Sequence, residues 1–161
     1  DIVTITIRNS KFDKARNSNV EDYIKFAKRL EEMKFFPVII PDTDNPFIES
    51  NFDILKSDIG FAAAFNTGIR LALYEISFVN FFSPNGPQTF TMYSKNIPYI
   101  FFVSKLFKSV TAPKNLKTPY YMDPDTRQVA WADKKQWIVH EDESFENMVK
   151  VFEKYCSLHK N

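Results

Sequence analysis

Apolar runs and amphipathic stretches alternate along the chain. Runs rich in β-branched and aromatic residues predict five strands, at residues 2–7, 35–40, 78–82, 96–103 and 137–140. Apolar residues at helical spacing predict helices between and after them, at residues 20–33, 61–76, 90–95 and 144–158. Strands that alternate with helices indicate a parallel sheet with both faces covered. The pattern therefore predicts an α/β fold, a single three-layer Rossmann-like domain with a mostly parallel sheet over residues 1–161.

Capping residues predict where several helices begin. Ser18, with Glu21 three positions later, has the spacing of a capping box, so Ser18 is expected to cap the first long helix. Ser144 is expected to cap the last helix. The helix before the third strand begins either near Phe61 or at Asn66, and it is expected to be largely buried.

Composition limits the class of protein. A chain of 161 residues suffices for one α/β domain, and 17 Phe among 16% aromatic residues predict a bulky core. A formal net charge of +1 provides no strong field for nucleic acid or an anionic membrane, so no nucleic-acid partner is expected. The basic stretch 104–119 is predicted to be a solvated surface loop.

The chain has no feature typical of a membrane protein or of a disulfide-rich secreted one. No apolar run approaches the roughly 20 residues that span a bilayer, so no transmembrane segment is expected. The single Cys156 excludes an internal disulfide and fits a reducing compartment, and a cytoplasmic location is expected. The start at Asp1, without Met and directly on an apolar run, is the pattern of a segment from a longer polypeptide.

Glycine content excludes the common phosphate-binding loops. The chain holds three glycines, Gly60, Gly68 and Gly86, whereas the G-x-G-x-x-G and Walker A loops need two or more at fixed spacing. A bound phosphate must therefore be held by side chains, by a helix N-terminus or by the turn at Gly86.

The loop after the first strand is the first candidate for that role. It contains Arg8, Arg16, Asn17, Ser18 and Asn19. The first strand of a doubly wound sheet lies centrally, and its carboxyl end faces the ligand crevice. Two guanidinium groups and a helix N-terminus there would bind a diphosphate. The alternative is that Arg16 is a solvated loop residue and Ser18 only a cap.

The turn after the third strand, Asn85-Gly86-Pro87, is the second candidate. Gly86 lets the backbone come close to a ligand, and Pro87 suits the first turn of a helix. The amides of Gln88 and Thr89 would then point toward an anion. The alternative is an ordinary turn between a strand and a helix.

Acidic residues after the second strand offer a further contact. Asp42 begins Asp42-Thr43-Asp44, at a place where an acid often accepts hydrogen bonds from a ribose. Asp-x-Asp can also hold a divalent metal beside a diphosphate, and Asp123-Pro124-Asp125 has the same pattern. Such triplets are common in turns, and no metal ligand is predicted.

The helix before the third strand carries two charged residues of interest. Arg70 is expected to be buried and satisfied by Glu75 or by a backbone carbonyl, with ligand contact as the alternative.

Together these segments resemble bacterial glycosyltransferase-like proteins related to the nucleotide-sugar-binding half of the GT-B fold. The resemblance covers most of the chain and rests on Val3–Arg8, Ala15–Asn19, Pro37–Asp44, Ile69–Glu75, Asn80, Asn85-Gly86-Pro87 and, more loosely, residues 136–145. It implies that Arg8, Arg16, Asn17 and Ser18 face the donor diphosphate. It also implies that Asn85, Gly86 and Pro87 meet the donor phosphate or sugar, and that Asp42 approaches the nucleoside.

The function implied by the resemblance is transfer of a sugar from a nucleotide diphosphate donor to a glycan or another hydroxyl acceptor. Arg8 and Arg16 would stabilise charge on the leaving diphosphate, and Asp42 and Glu75 are the candidates for a catalytic base. No cofactor besides the donor substrate is expected. Complete GT-B enzymes have two Rossmann-like domains, and this chain has room for one. The alternatives are a non-catalytic ligand-binding or interaction domain and a metal-dependent transferase that uses Asp42 and Asp44.

Overall fold

The computed structural model describes residues 1–43, 57–105 and 128–160, which contain one five-stranded sheet. The strands are β1 (Ile2–Thr6), β2 (Phe36–Ile40), β3 (Val79–Phe82), β4 (Tyr99–Phe102) and β5 (Gln136–Val139). They lie in the order β2-β1-β3-β4-β5, and each of the four pairings is parallel. The predicted parallel α/β fold is confirmed.

Helices cover both faces of the sheet. They are α1 (Val20–Glu32), α2 (Asp58–Phe65), α3 (Thr67–Ile76), α4 (Gln88–Met92) and α5 (Phe145–His159), with a short 3-10 turn at Lys14–Arg16. Side chains from α1 and α5 pack on one face, and side chains from α2, α3 and α4 pack on the other. The domain therefore has the three layers that the alternation of strands and helices predicted.

Each face of the sheet has its own apolar core. On the side of α1 and α5, Val3 and Ile5 of β1 pack with Phe26, Phe81 and Phe152. On the other side, the core contains Val38, Ile40, Tyr74, Phe82 and Phe101. Strands of a parallel sheet that is buried on both faces need continuous apolar runs rather than alternating apolar and polar residues. This explains the apolar composition of the strands in this sheet.

The start of α1 differs from the prediction, whereas the start of α5 agrees with it. Asn19 precedes α1 as the N-cap residue, and no side chain caps this helix, so the capping box predicted at Ser18 is wrong. Ser18 Oγ accepts the Arg8 amide instead, at 3.0 Å. Ser144 caps α5 as predicted, because its hydroxyl accepts from the Asn147 amide.

The segment predicted as one helix before β3 is two helices. Asn66 separates α2 from α3, and its side chain caps α3 by accepting from the Ile69 amide at 3.0 Å. Burial is confined to one side of the pair, since Ile59, Phe65 and Ile76 are exposed. The expectation of a largely buried segment is therefore wrong for its outer face.

A buried asparagine ties α3 to the sheet. Asn80 in β3 donates through Nδ2 to the carbonyl of Tyr74 at 3.0 Å and to that of Pro98 at 2.8 Å. Its Oδ1 accepts from the Thr4 hydroxyl of β1. Because Asn80 is fully buried, these bonds supply the partners that its amide would otherwise lack. One side chain thus links β1, β3, the end of α3 and the start of β4.

Several expectations fall outside the described residues. These are Asp44, the triplet 123–125 and most of the basic stretch 104–119, of which residues 104 and 105 are described. In the three described ranges, no helix has the combination of length and apolar character needed to cross a bilayer.

Close packing of α2 on β2 requires glycine at position 60. A Cβ added to Gly60 would lie 2.0 Å from the carbonyl oxygen of Ile39, which is backbone and cannot rotate away. Replacing Gly60 by Ala should therefore lower the free energy of unfolding by about 1–3 kcal/mol, the usual cost of overpacking. Urea unfolding followed by circular dichroism measures this loss.

Gly86→Ala is the matched control for that prediction. A Cβ at Gly86 meets no described atom within 4 Å, and no glycine has a positive φ angle among the described residues. We expect this variant to unfold within about 0.5 kcal/mol of the unaltered protein. Equal stability of Gly60→Ala and Gly86→Ala would contradict the proposed contact between α2 and β2.

Candidate functional site

The order of strands opens a crevice between β1 and β3. The chain goes from β1 outward to β2 and then returns to β3 on the other side of β1. Loops that leave these neighbouring strands turn to opposite faces of the sheet, and α/β proteins bind ligands in the crevice left at the carboxyl edge. A cleft of about 220 Å³ lies at this edge, lined by residues 6–8, 41–43 and 85–87 and by Arg70.

Arg8 lies on the cleft wall immediately after β1. Its backbone is held on both sides, because its amide donates to Ser18 Oγ at 3.0 Å and its carbonyl accepts from the Ser18 amide at 2.9 Å. The preceding Ile7 donates to the Ile40 carbonyl at 3.0 Å and so extends the pairing with β2. The backbone that carries the Arg8 guanidinium is therefore fixed by the sheet and by the loop.

Arg70 reaches the same cleft from α3. Its Nε donates to the carbonyl of Ala63 at 2.7 Å and its Nη2 to that of Ala64 at 2.9 Å. These carbonyls belong to the last turn of α2, where they have no partner within the helix and where a cation is favourable. Backbone carbonyls, rather than Glu75, are thus the partners of Arg70. No carboxylate of a described residue forms an ion pair with it, so its charge is available at the cleft.

The turn after β3 forms the opposite wall. Asn85 Oδ1 accepts from the Gln88 amide at 3.1 Å, which shapes the first turn of α4. Its Nδ2 is enclosed and meets no hydrogen-bond acceptor among the described residues. Gly86 is exposed, and nothing described there would collide with a side chain. The turn therefore offers an amide donor and an open stretch of backbone to the cleft.

Asp42 adds a carboxylate to the cleft. Its Oδ2 accepts from the Asn9 amide at 2.8 Å, so it joins the loops that follow β1 and β2. The neighbouring Thr43 also lines the cleft. A bonded carboxylate at this position has a fixed orientation, as a contact to a ribose hydroxyl would require.

The remaining predicted site residues do not line the cleft. Arg16 forms an ion pair with the buried Asp13, with Nε to Oδ2 at 3.0 Å. The Asn17 side chain bonds to the backbone of its own loop. Its Oδ1 accepts from the Ser10 backbone amide, and its Nδ2 donates to the Ser10 carbonyl, each at 3.0 Å. Glu75 is exposed near the end of α3, which leads into the amino end of β3 and so away from the cleft.

Ser18 belongs to a buried polar network that sequence analysis did not identify. Ser18 Oγ lies 2.8 Å from Ser83 Oγ, and the hydroxyl of Tyr23 lies 3.2 Å from the same oxygen. Ser83 Oγ donates to Glu143 Oε1 at 2.6 Å. The other carboxylate oxygen of Glu143 forms an ion pair with Lys105 Nζ at 3.4 Å. This network, hereafter the Glu143 network, lies where the loops after β1, β3, β4 and β5 meet.

Burial governs the protonation of this network. It raises the pKa of the Glu143 carboxyl, and the Lys105 ammonium and the hydrogen bond from Ser83 oppose that rise. Burial also raises the pKa of Tyr23 well above its usual value, and the adjacent Glu143 charge adds to the effect. Tyr23 therefore remains a neutral hydroxyl near neutral pH.

No sequence signal distinguished these residues from their neighbours. Glu143 ends the acidic run Glu141-Asp142-Glu143, and such a run is typical of a solvated loop. The other two residues of the run, Glu141 and Asp142, are indeed exposed. Lys105 is the second residue of the stretch 104–119 that was predicted to be a surface loop, but its side chain is only 19% exposed. Tyr23 lies among the buried residues of α1, where an aromatic side chain is typical of an apolar core. Their proximity depends on the meeting of four loops, which no local pattern records.

A larger groove of about 820 Å³ lies along β5 and α5. Its walls include Trp137 and Leu158, and Lys154 Nζ lies 5.8 Å from the Trp137 ring centre. It contains none of the predicted site residues and lies beside an edge strand rather than at the reversal of strand order. The smaller cleft between β1 and β3 is therefore the candidate site.

The chemistry of the cleft suits a small anion. A guanidinium group binds phosphate through two parallel hydrogen bonds. Two such groups, those of Arg8 and Arg70, line the cleft. Its volume of about 220 Å³ is below the roughly 300–1,000 Å³ of pockets that enclose larger ligands, so it matches a diphosphate more closely than a whole nucleotide-sugar. Within the described part of the chain, no group of three His, Cys, Asp or Glu residues is placed to hold a metal ion.

Comparison of the chain with protein-family models, with curated proteins and with solved structures gave no match. Any functional inference therefore depends on the residues and geometry of the cleft.

The raised pKa of Glu143 predicts how stability depends on pH. The folded protein retains the Glu143 proton at pH values where the unfolded chain has already released it. The free energy of unfolding should therefore fall as pH rises from the ordinary glutamate pKa through the raised one, by at most about 1.4 kcal/mol per pH unit for one proton. Glu143→Gln should remove this contribution.

Urea unfolding between pH 4 and pH 8 tests this dependence. The stability of the unaltered protein relative to Glu143→Gln should decline with rising pH. Glu146→Gln, an exposed change two positions after Ser144, should leave the profile of the unaltered protein in place. Parallel profiles for the unaltered protein and Glu143→Gln would contradict the effect of burial on Glu143.

Proposed function

We propose that this domain binds the diphosphate of a nucleotide-sugar in the cleft between β1 and β3 and acts as the donor-binding part of a glycosyltransferase of the GT-B type. The observation that carries the proposal is the convergence of Arg8, Arg70 and the Asn85-Gly86-Pro87 turn on one cleft. Two of these three elements, Arg8 and the turn, were predicted from the sequence to bind the donor. Their common location at the reversal of strand order supports the assignment.

The two arginines have complementary roles in this proposal. Arg70 is held by two carbonyls and is 8% exposed, so its guanidinium is pre-organised and contributes a fixed positive charge. Arg8 follows β1 directly and contacts the phosphate oxygens. When the bond between the sugar C1 and the diphosphate oxygen breaks, negative charge develops on that oxygen. A fixed charge stabilises it without reorganisation, which lowers the barrier.

Other groups complete the binding of the donor. The Asn85 amide donates to a phosphate or sugar oxygen, and the Gly86 backbone leaves space for it. The Asp42 carboxylate accepts from a ribose hydroxyl. Of the two carboxylates considered as a base for the acceptor hydroxyl, Glu75 does not line the cleft, and Asp42, which does, is assigned to the ribose. The acceptor hydroxyl loses its proton as its oxygen bonds to the sugar C1, so a base must be within reach.

One observation favours a second candidate, a domain that binds the donor without completing catalysis. The cleft formed by the described residues holds about 220 Å³, enough for the diphosphate but not for donor and acceptor together. In this second candidate the domain binds its ligand and transfers no sugar.

Replacing Arg8 by Ala tests the proposal directly. Loss of a charged hydrogen bond to phosphate costs about 1.5–3 kcal/mol, so affinity for a nucleoside diphosphate should fall at least tenfold. Calorimetric titration with UDP, GDP, ADP and inorganic pyrophosphate measures this loss. Absence of binding by the unaltered protein to all four probes would overturn the proposal.

Two further arginine variants make the result specific. Arg29→Ala is the matched control, because Arg29 lies near the other end of α1, is 40% exposed and pairs with Glu32. Its affinity should stay within about twofold. Arg16→Ala should lose less affinity than Arg8→Ala, because Arg16 pairs with Asp13 outside the cleft. Equal losses in Arg8→Ala and Arg29→Ala would indicate nonspecific attraction of the anion.

Titrations with EDTA and with magnesium separate this proposal from the metal-dependent alternative, which requires the metal.

A further inference from the structure

We propose that Glu143 is a positioning residue for the diphosphate cleft: through Ser83, Ser18 and Lys105 it holds Arg8 and the Asn85 turn in the geometry that binds the anion. The inference rests on the proposed function, because the site being positioned is the proposed donor site. It assigns a binding-related role to residues that lie behind the cleft wall and do not line it.

The hydrogen bonds of the Glu143 network have one consistent direction. An ionised carboxylate only accepts, so Ser83 must donate its proton to Glu143 Oε1, at 2.6 Å. The Ser83 oxygen then accepts from the Ser18 hydroxyl at 2.8 Å. The Ser18 oxygen in turn accepts from the Arg8 amide at 3.0 Å. The chain therefore runs from the Arg8 backbone to the Glu143 charge, and each bond polarises the next.

Lys105 adds a second connection to the same loop. Its Nζ donates to the Asn17 carbonyl at 2.7 Å and forms the ion pair with Glu143 Oε2 at 3.4 Å. Asn17 immediately precedes Ser18, so both branches of the network end on the loop after β1. The position of this loop is thus coupled to the charge of Glu143.

The network also reaches the other wall of the cleft. Ser83 directly follows β3 and precedes Asn85 by two residues, and it is fully buried. A change in the bond between Ser83 and Glu143 would therefore move the start of the turn that contains Asn85. Glu143 thus acts on both walls of the cleft, although neither of its oxygens reaches it.

Because Glu143 is buried, the Glu143 network depends on each of the groups that surround the carboxylate. The Glu143 side chain has no exposed surface, and a buried charge without partners is strongly unfavourable. The described groups that face it are the Lys105 ammonium after β4, the Tyr23 hydroxyl of α1 and the Ser83 hydroxyl after β3. Protonation of Glu143 would remove the charge that pairs with Lys105 and leave an oxygen that can still accept from Ser83, so acidification should weaken the lysine branch of the network.

Three variants separate the parts of the network. Glu143→Gln keeps an oxygen that can accept from Ser83 and loses the ion pair. Glu143→Leu removes both interactions while keeping a side chain of similar size. Lys105→Met removes only the lysine branch. Phe152→Leu, in the core on the α5 face, serves as the control for general loss of stability.

Calorimetric titration with inorganic pyrophosphate, at a temperature where every variant is folded, measures the effect on the site. Glu143→Leu should weaken binding about tenfold or more, and Glu143→Gln should restore part of that loss. Phe152→Leu should bind as the unaltered protein does even when its melting temperature is as low as that of Glu143→Leu. The affinity advantage of the unaltered protein over Glu143→Gln should shrink as pH falls, which a purely structural role would not produce.

Amide hydrogen exchange of the unliganded proteins provides a second measurement. The amides of Arg8 and Ser18 should exchange at least tenfold faster in Glu143→Leu than in the unaltered protein. The amide of Ile5, inside β1, should not change. Unchanged exchange at Arg8 and Ser18 would overturn the inference even if Glu143→Leu binds weakly.

The outcomes distinguish failure of this inference from failure of the proposed function. If the unaltered protein binds pyrophosphate and Glu143→Leu binds it equally well, the positioning role is wrong and the proposed donor site stands. If the unaltered protein binds neither pyrophosphate nor the three nucleoside diphosphates, both are wrong.

Discussion

The parallel pairing of β1 with β3 is the constraint on which the site depends. Thr6 lies beside Phe82 in the register, so the two strands end at the same level of the sheet. The chain leaves β1 toward one face and β3 toward the other because β2 lies outside β1. Arg8 and the Asn85 turn start from these neighbouring ends. The position of the cleft between them is thus a result of register and strand order.

Two polar networks fix this register within an otherwise apolar sheet. Inside the sheet, Asn80 bonds to the carbonyls of Tyr74 and Pro98, and the Tyr74 hydroxyl lies 2.9 Å from the Thr6 hydroxyl. At the carboxyl edge, the Glu143 network joins four loops. Apolar packing alone tolerates small shifts of one strand against another, whereas buried polar groups lose their partners when a strand moves. These networks therefore restrict the strand ends that form the cleft.

Arg70 shows how one residue serves both structure and the candidate site. Its guanidinium satisfies two carbonyls at the end of α2, which stabilises the junction between α2 and α3. The same bonds hold the group still beside the cleft. A cation held by backbone carbonyls keeps its charge and orientation without an ion pair to a carboxylate, which suits recognition of an anion.

The sequence by itself determined the α/β class, the parallel sheet and most element positions, because apolar periodicity and strand propensity are local properties. It also put forward Arg8, Asp42 and the Asn85 turn as candidate site residues, since each lies two or three residues beyond the end of a strand. Only the tertiary structure decided that Arg16 pairs with Asp13, that Ser18 bonds to Ser83 rather than capping α1, and that Glu143 is buried. These outcomes depend on which loops meet at the sheet edge. Side-chain partners distant in sequence leave no periodic pattern, so local signals could not specify them.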